Sequence, residues 1–64
     1  MDKDAIAMKL RQLRGERTRG EVAKAIGTSV SAISMYENGD RIPRDDVKIR
    51  IANFYEQPIN EIFF

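Results

Sequence analysis

Glycines and prolines cut this chain into apolar patterns too short for anything but small helices. The breakers are Gly15, Gly20, Gly27, Gly39, Pro43 and Pro58, and no stretch alternates with period two over a strand length. Ile6, Leu10 and Leu13 recur at helical spacing, which predicts an amphipathic first helix from Asp2 to Arg14 with Gly15 as its C-terminal cap. Thr18 followed by Glu21 is a capping box that opens a second helix, which carries Val22, Ala23 and Ile26 and stops at Gly27. Gly20 in its first turn is a poor helix former. Ser29 suits the N-cap of a third helix running to Glu37, with Gly39 ending it. Arg41-Ile42-Pro43-Arg44 reads as a loop. Asp45 and Asp46 then complement the dipole in the first turn of a fourth helix, whose apolar positions include Val47, Ile51, Ala52 and Tyr55. Pro58 fits the first position of a short last helix carrying Ile59, Ile62 and Phe63. The expected fold is all-α: five short helices in one compact domain over residues 1–64.

A domain of 64 residues has room for one small core, worth about 3–5 kcal/mol without further staples. The chain has no cysteine and no histidine, so disulfides, Cys/His metal sites and His-based acid–base or nucleophilic chemistry are not expected. With 42% hydrophobic and 33% charged residues, it has the composition of a folded rather than a disordered chain. No apolar run is long enough to span a membrane, and the charged start Met1-Asp2-Lys3-Asp4 is unlike a signal peptide. A cytoplasmic protein is expected.

The net charge of +1 hides a division along the chain. Lys9, Arg11, Arg14, Arg17, Arg19 and Lys24 crowd one segment against only Glu16 and Glu21. Arg41, Arg44, Lys48 and Arg50 form a second basic segment against Asp45 and Asp46, while the rest of the chain is acidic. Charge alone fits two readings equally: solvated helix faces, or a side turned towards a polyanion.

The second and third helices are separated only by Gly27, Thr28 and the capping Ser29, so they must cross sharply. Gly27 is expected to take the positive φ that so tight a turn needs, and small Ala23 lets the helices approach. Ile33 and Tyr36 then pack back on Val22 and Ile26. On the opposite side of the third helix, Val30, Ser31, Ser34, Met35 and Asn38 share an uncharged arc that mixes hydroxyls with apolar groups. A helix presenting that arc suits a major groove, as in a helix-turn-helix over residues 18–38.

The chain resembles the phage lambda/434 repressor–Cro type, or XRE type, of helix-turn-helix proteins. The residues that carry the likeness are Thr18-Arg19-Gly20-Glu21-Val22-Ala23, Gly27-Thr28-Ser29, Ile33-Ser34-Met35-Tyr36-Glu37-Asn38-Gly39 and Arg41-Ile42-Pro43. Ile51-Ala52 and Ile59-Asn60-Glu61-Ile62-Phe63 fit the family's last two helices. The resemblance implies double-stranded DNA binding with the third helix in the major groove, where Val30, Ser31, Ser34 and Met35 take base-facing positions. Thr18 and Arg19 would take phosphate positions at the start of the second helix, and Asn38, Arg41 and Arg44 would grip the backbone on the other side. It also implies an Arg14–Glu37 pair, which is expected to be weakened because the turn from Leu13 to Thr18 is shorter than the family's usual one. Plainer readings stand beside these. Thr18 and Ser29 are helix caps first, Arg41 and Arg44 fit a solvated loop, and Met35 fits loose core filling.

The leading expectation is a sequence-specific transcriptional regulator, a repressor, bound as a homodimer to an inverted-repeat operator in the nucleoid. The reading arc has no Arg or Gln to make bidentate base contacts, so one copy is too weak alone. Ile59, Phe63 and Phe64 place more apolar area at the C-terminal end than a tiny monomer needs, and are the expected dimer interface. The alternative is an antitoxin-like or adaptor module whose uncharged arc binds a protein. No catalytic constellation, cofactor, metal or small-molecule ligand is expected.

Overall fold

In a computed structural model that describes residues 2–64, side-chain caps set the starts of the first three helices. The Asp2 carboxylate accepts from the N–H groups of Asp4 and Ala5 at 2.9 and 3.3 Å, so α1 runs Lys3–Arg14. The expected capping box forms at Thr18 and Glu21 and opens α2, Arg19–Ile26. The Ser29 hydroxyl accepts from the Ala32 N–H at 3.0 Å and opens α3, Val30–Asn38. α4 spans Asp45–Tyr55, with Asp45 and Asp46 in its first turn as expected. α5 is Ile59–Phe63; Pro58 precedes it as the cap instead of filling its first position. No strand occurs among the described residues, and the fold is all-α.

All five helices contribute to one core. Ile6 and Leu10 of α1 join Val22, Ala23 and Ile26 of α2, Ile33 and Tyr36 of α3, Val47, Ile51 and Ala52 of α4, and Ile62 and Phe63 of α5. α3 packs on both α1 and α2, and α4 braces α2 from the other side. Gly39 is needed where α1 approaches the end of α3. Its φ is 77°, and a Cβ there would stand 2.9 Å from the Asp4 carboxylate. Phe63, expected at a dimer interface, is only 1% exposed. This corrects the expectation: Ile62 and Phe63, adjacent on one side of α5, both turn inward to close the core.

The other correction concerns Glu37, on the last turn of α3, which is 2% exposed. Arg14 reaches both of its carboxylate oxygens through Nε, at 3.0 and 2.8 Å, and Arg19 Nε reaches Oε1 at 3.1 Å. Arg11 Nη1 also donates to the Glu37 carbonyl. The short turn does not weaken the Arg14 pair, because the turn folds around Arg14: its Nη1 donates to the Arg17 carbonyl at 2.8 Å. Arg17 in turn donates to the Leu13 carbonyl and lies over the rings of Phe54 and Tyr55, 5.4 and 5.9 Å from their centroids. Burial, with the Glu37 charge adding to it, raises the Tyr55 phenol above its ordinary value, against the opposing pull of Arg17 and Arg14.

Two outcomes follow from this cluster. Arg14→Ala leaves a buried carboxylate with one charged partner and should cost about 3 kcal/mol. Glu37→Gln instead leaves two arginines that can rehydrate, and should cost about 1–2 kcal/mol. Urea denaturation of both variants checks the order, and a milder Arg14→Ala would contradict it. For Tyr55, the folded phenol holds its proton to higher pH than the unfolded one. Its contribution is therefore intact below pH 10.0 and lost as pH rises beyond it. Stability should fall more steeply above that point in the parent than in Tyr55→Phe; parallel curves would count against the shift.

Candidate nucleic-acid interface

The crossing of α2 and α3 depends on one residue. Gly27 adopts φ 82°, ψ 41°, as the sequence predicts, and its N–H and that of Thr28 both donate to the Ala23 carbonyl at 2.9 Å. This closes α2 and turns the chain directly into the Ser29 cap. Val22, Ala23 and Ile26 meet Ile33 and Tyr36 in the core, which fixes the face that α3 turns outward.

That outward face is uncharged. Glu37 is the one charged residue among the nine of α3, and it points inward. Val30 is half-exposed at 50%, Ser31 and Asn38 are exposed, and Ser34 and Met35 are half-buried. Met35 is not among the residues packed against the hydrophobic cluster, which disfavours its reading as core filling. That face offers apolar contact from Val30, hydroxyl hydrogen bonding from Ser31 and Ser34, and one amide, Asn38, at its end, with no charged donor.

Cations flank this face. Arg41 and Arg44 are exposed in the loop after α3. Arg19, at the first position of α2, is more constrained than its sequence suggested. Its Nε is engaged by Glu37, so the terminal nitrogens are the ones left for another ligand. Thr18 is committed locally: its hydroxyl accepts from the Glu21 N–H at 3.1 Å and lies 3.3 Å from Glu21 Oε1. The helix-turn-helix thus brings Thr18, Arg19, Val30, Ser31, Ser34, Met35 and Asn38 onto two crossed helices, with Arg41 and Arg44 in the adjoining loop.

At the C-terminal end, Phe64 is 74% exposed and Ile59 is half-buried against the core. An open groove of about 440 Å³ runs beside Phe64 between α1 and α5, edged by Asp2, Lys9 and Glu61. Lys48, read in the sequence only as one charge of the second basic segment, is buried beneath this end. Its ammonium lies 3.5 Å from Asp45 Oδ1 and 5.1 Å from the Phe64 ring centroid. The signal was present, since Lys48 precedes Ile51, Ala52 and Tyr55 at helical spacing on the apolar face of α4.

No group of acidic side chains suited to a metal ion occurs among the described residues, and no helix there is long and apolar enough to cross a membrane. The family profile described as Helix-turn-helix matches residues 8–62. No curated protein and no solved structure gives a significant match.

Proposed function

Because the chain belongs to the XRE-type helix-turn-helix family of DNA-binding transcription regulators, we propose that it is a repressor that binds an inverted-repeat operator as a homodimer, with α3 in the major groove. The observation that carries this reading is the uncharged outer face of α3, whose single carboxylate is turned inward and covered by Arg14 and Arg19. A negative charge on that face would meet the phosphates; its burial leaves a surface that can enter the groove.

Val30 and Met35 then meet thymine methyl groups, and Ser31 and Ser34 hydrogen-bond base edges. Arg19, Arg41 and Arg44, with Thr18 and Asn38, hold the sugar–phosphate backbone on either side, fixing register without reading sequence. So few base contacts give limited discrimination per copy, and a two-fold dimer doubles them. Phe64 and Ile59 are the residues proposed to meet across that dimer, beside the groove between α1 and α5. A dimer seated on its operator excludes other proteins from the DNA it covers, which is the basis for repression.

The test separates grip from reading. Selection from a random duplex pool supplies the cognate site, and an inverted repeat is expected. Arg41→Ala should then weaken cognate and random duplexes by similar factors and lower the magnitude of the log K against log salt slope by about one. Met35→Ala should leave the slope alone and lose about 1–2 kcal/mol of discrimination at one thymine-bearing position. Binding to random duplex without salt dependence would favour the protein-interaction reading. For the dimer, Phe64→Asp should keep the helical content and weaken self-association; sedimentation matching the parent at dimeric concentrations would count against this interface.

A further inference from the structure

Arg50 lies on α4, outside the helix-turn-helix, yet its guanidinium rests against the turn between α2 and α3. Its Nη1 lies 3.4 Å from where a Cβ on Gly27 would stand, so the lack of a side chain there gives it room. Gly27 is only three residues before Val30, the first residue of α3. The neighbouring Ile51 is 1% exposed, which anchors this stretch of α4 in the core.

A second observation ties Arg50 to the loop cations. Asp46 Oδ2 lies 3.4 Å from Nη2 of Arg50 and also 3.4 Å from Nη2 of Arg44. One exposed carboxylate oxygen is thus shared by two guanidinium groups, which leaves the trio with a net positive charge. The pairs are long and solvated, with 45% of the Arg50 side chain and 61% of Asp46 exposed, so each contributes little to stability. A phosphate can therefore replace Asp46 as partner at small loss.

The geometry points to Arg50 as a further phosphate-contacting residue, which extends the grip of Arg44 from the loop after α3 to the turn before it, with Asp46 holding both cations when DNA is absent. The inference rests on the DNA-binding reading. It makes the backbone contacts on this side a pair drawn from α4 and the loop, so that the start of α3 is gripped as well as its end.

The experiment measures binding to a random-sequence duplex over a range of salt concentrations, with circular dichroism as the check on folding. Arg50→Gln is expected to lower the slope magnitude by about one, so that raising salt from about 50 to about 200 mM costs about fourfold less affinity than in the parent. Arg50→Lys, which keeps a charge there, is expected to retain the parent slope. Asp46→Asn releases both arginines and should tighten binding several-fold, with a smaller gain when Arg50→Gln is already present. An unchanged slope in Arg50→Gln, or an equal Asp46→Asn gain in both backgrounds, overturns the assignment. If Arg41→Ala still lowers the slope on the same duplex, the DNA-binding reading survives that failure. A parent whose duplex binding ignores salt overturns both.

Discussion

The Glu37 carboxylate joins three helices that the small core alone would hold loosely. Arg14 comes from the end of α1, Arg19 from the start of α2, and Glu37 itself from the end of α3. Removing a carboxylate from water costs several kcal/mol, and the ion pairs mainly offset that cost. Apolar packing resists separation of helices but tolerates sliding and rotation; a carboxylate bonded at 2.8–3.1 Å by two guanidinium groups tolerates far less. The cluster fixes one end of α3 while the Gly27 turn fixes the other. With both ends set, the outward arc of α3 is a consequence of the interior.

The helix boundaries were legible because their causes are local. Asp2, Thr18 with Glu21, and Ser29 cap their own helices through side chains a few residues away, and Gly27 and Gly39 take the positive φ that ends α2 and α3. The end of α4 carries no such mark. Glu56 adopts φ 55° there, a conformation that no glycine or asparagine announces, and its N–H bonds to the Ala52 and Asn53 carbonyls. The candidate site was legible to the same degree. The arc of Val30, Ser31, Ser34, Met35 and Asn38 follows from helical periodicity, whereas Arg50 against Gly27 and Arg19 on Glu37 depend on how helices pack and left no trace in spacing.

Phe63 shows that one sequence pattern can have two physical outcomes. Clustered apolar residues near a chain end mark either an interface or the closure of a core, and composition cannot separate the two. Position around the helix decides it. Adjacent residues of a helix lie about 100° apart, so Ile62 and Phe63 share one side of α5 and both turn inward over the core, while Asn60 and Glu61 are exposed. Phe64, just beyond the helix, is left outside. The buried Lys48 follows from the same closure, since its ammonium lies 5.8 and 5.1 Å from the Phe63 and Phe64 ring centroids and 3.5 Å from Asp45 Oδ1.

Most of the cations proposed to meet DNA already have carboxylate partners. Arg19 shares Glu37, and Arg44 and Arg50 share Asp46, while Arg41 makes no ion pair among the described residues. The two carboxylates act differently because of burial. Glu37 cannot leave its arginines without stranding a charge in the interior, so it holds Arg19 in place and DNA can take only the nitrogens Glu37 does not use. Asp46 stands in solvent and can surrender its partners. Arg19 is thus a preorganised contact whose charge is partly spent inside the protein, and Arg44 and Arg50 are exchangeable ones. Counterion release counts charge presented to phosphate. The salt dependence of binding should therefore track Arg41, Arg44 and Arg50 more closely than Arg19.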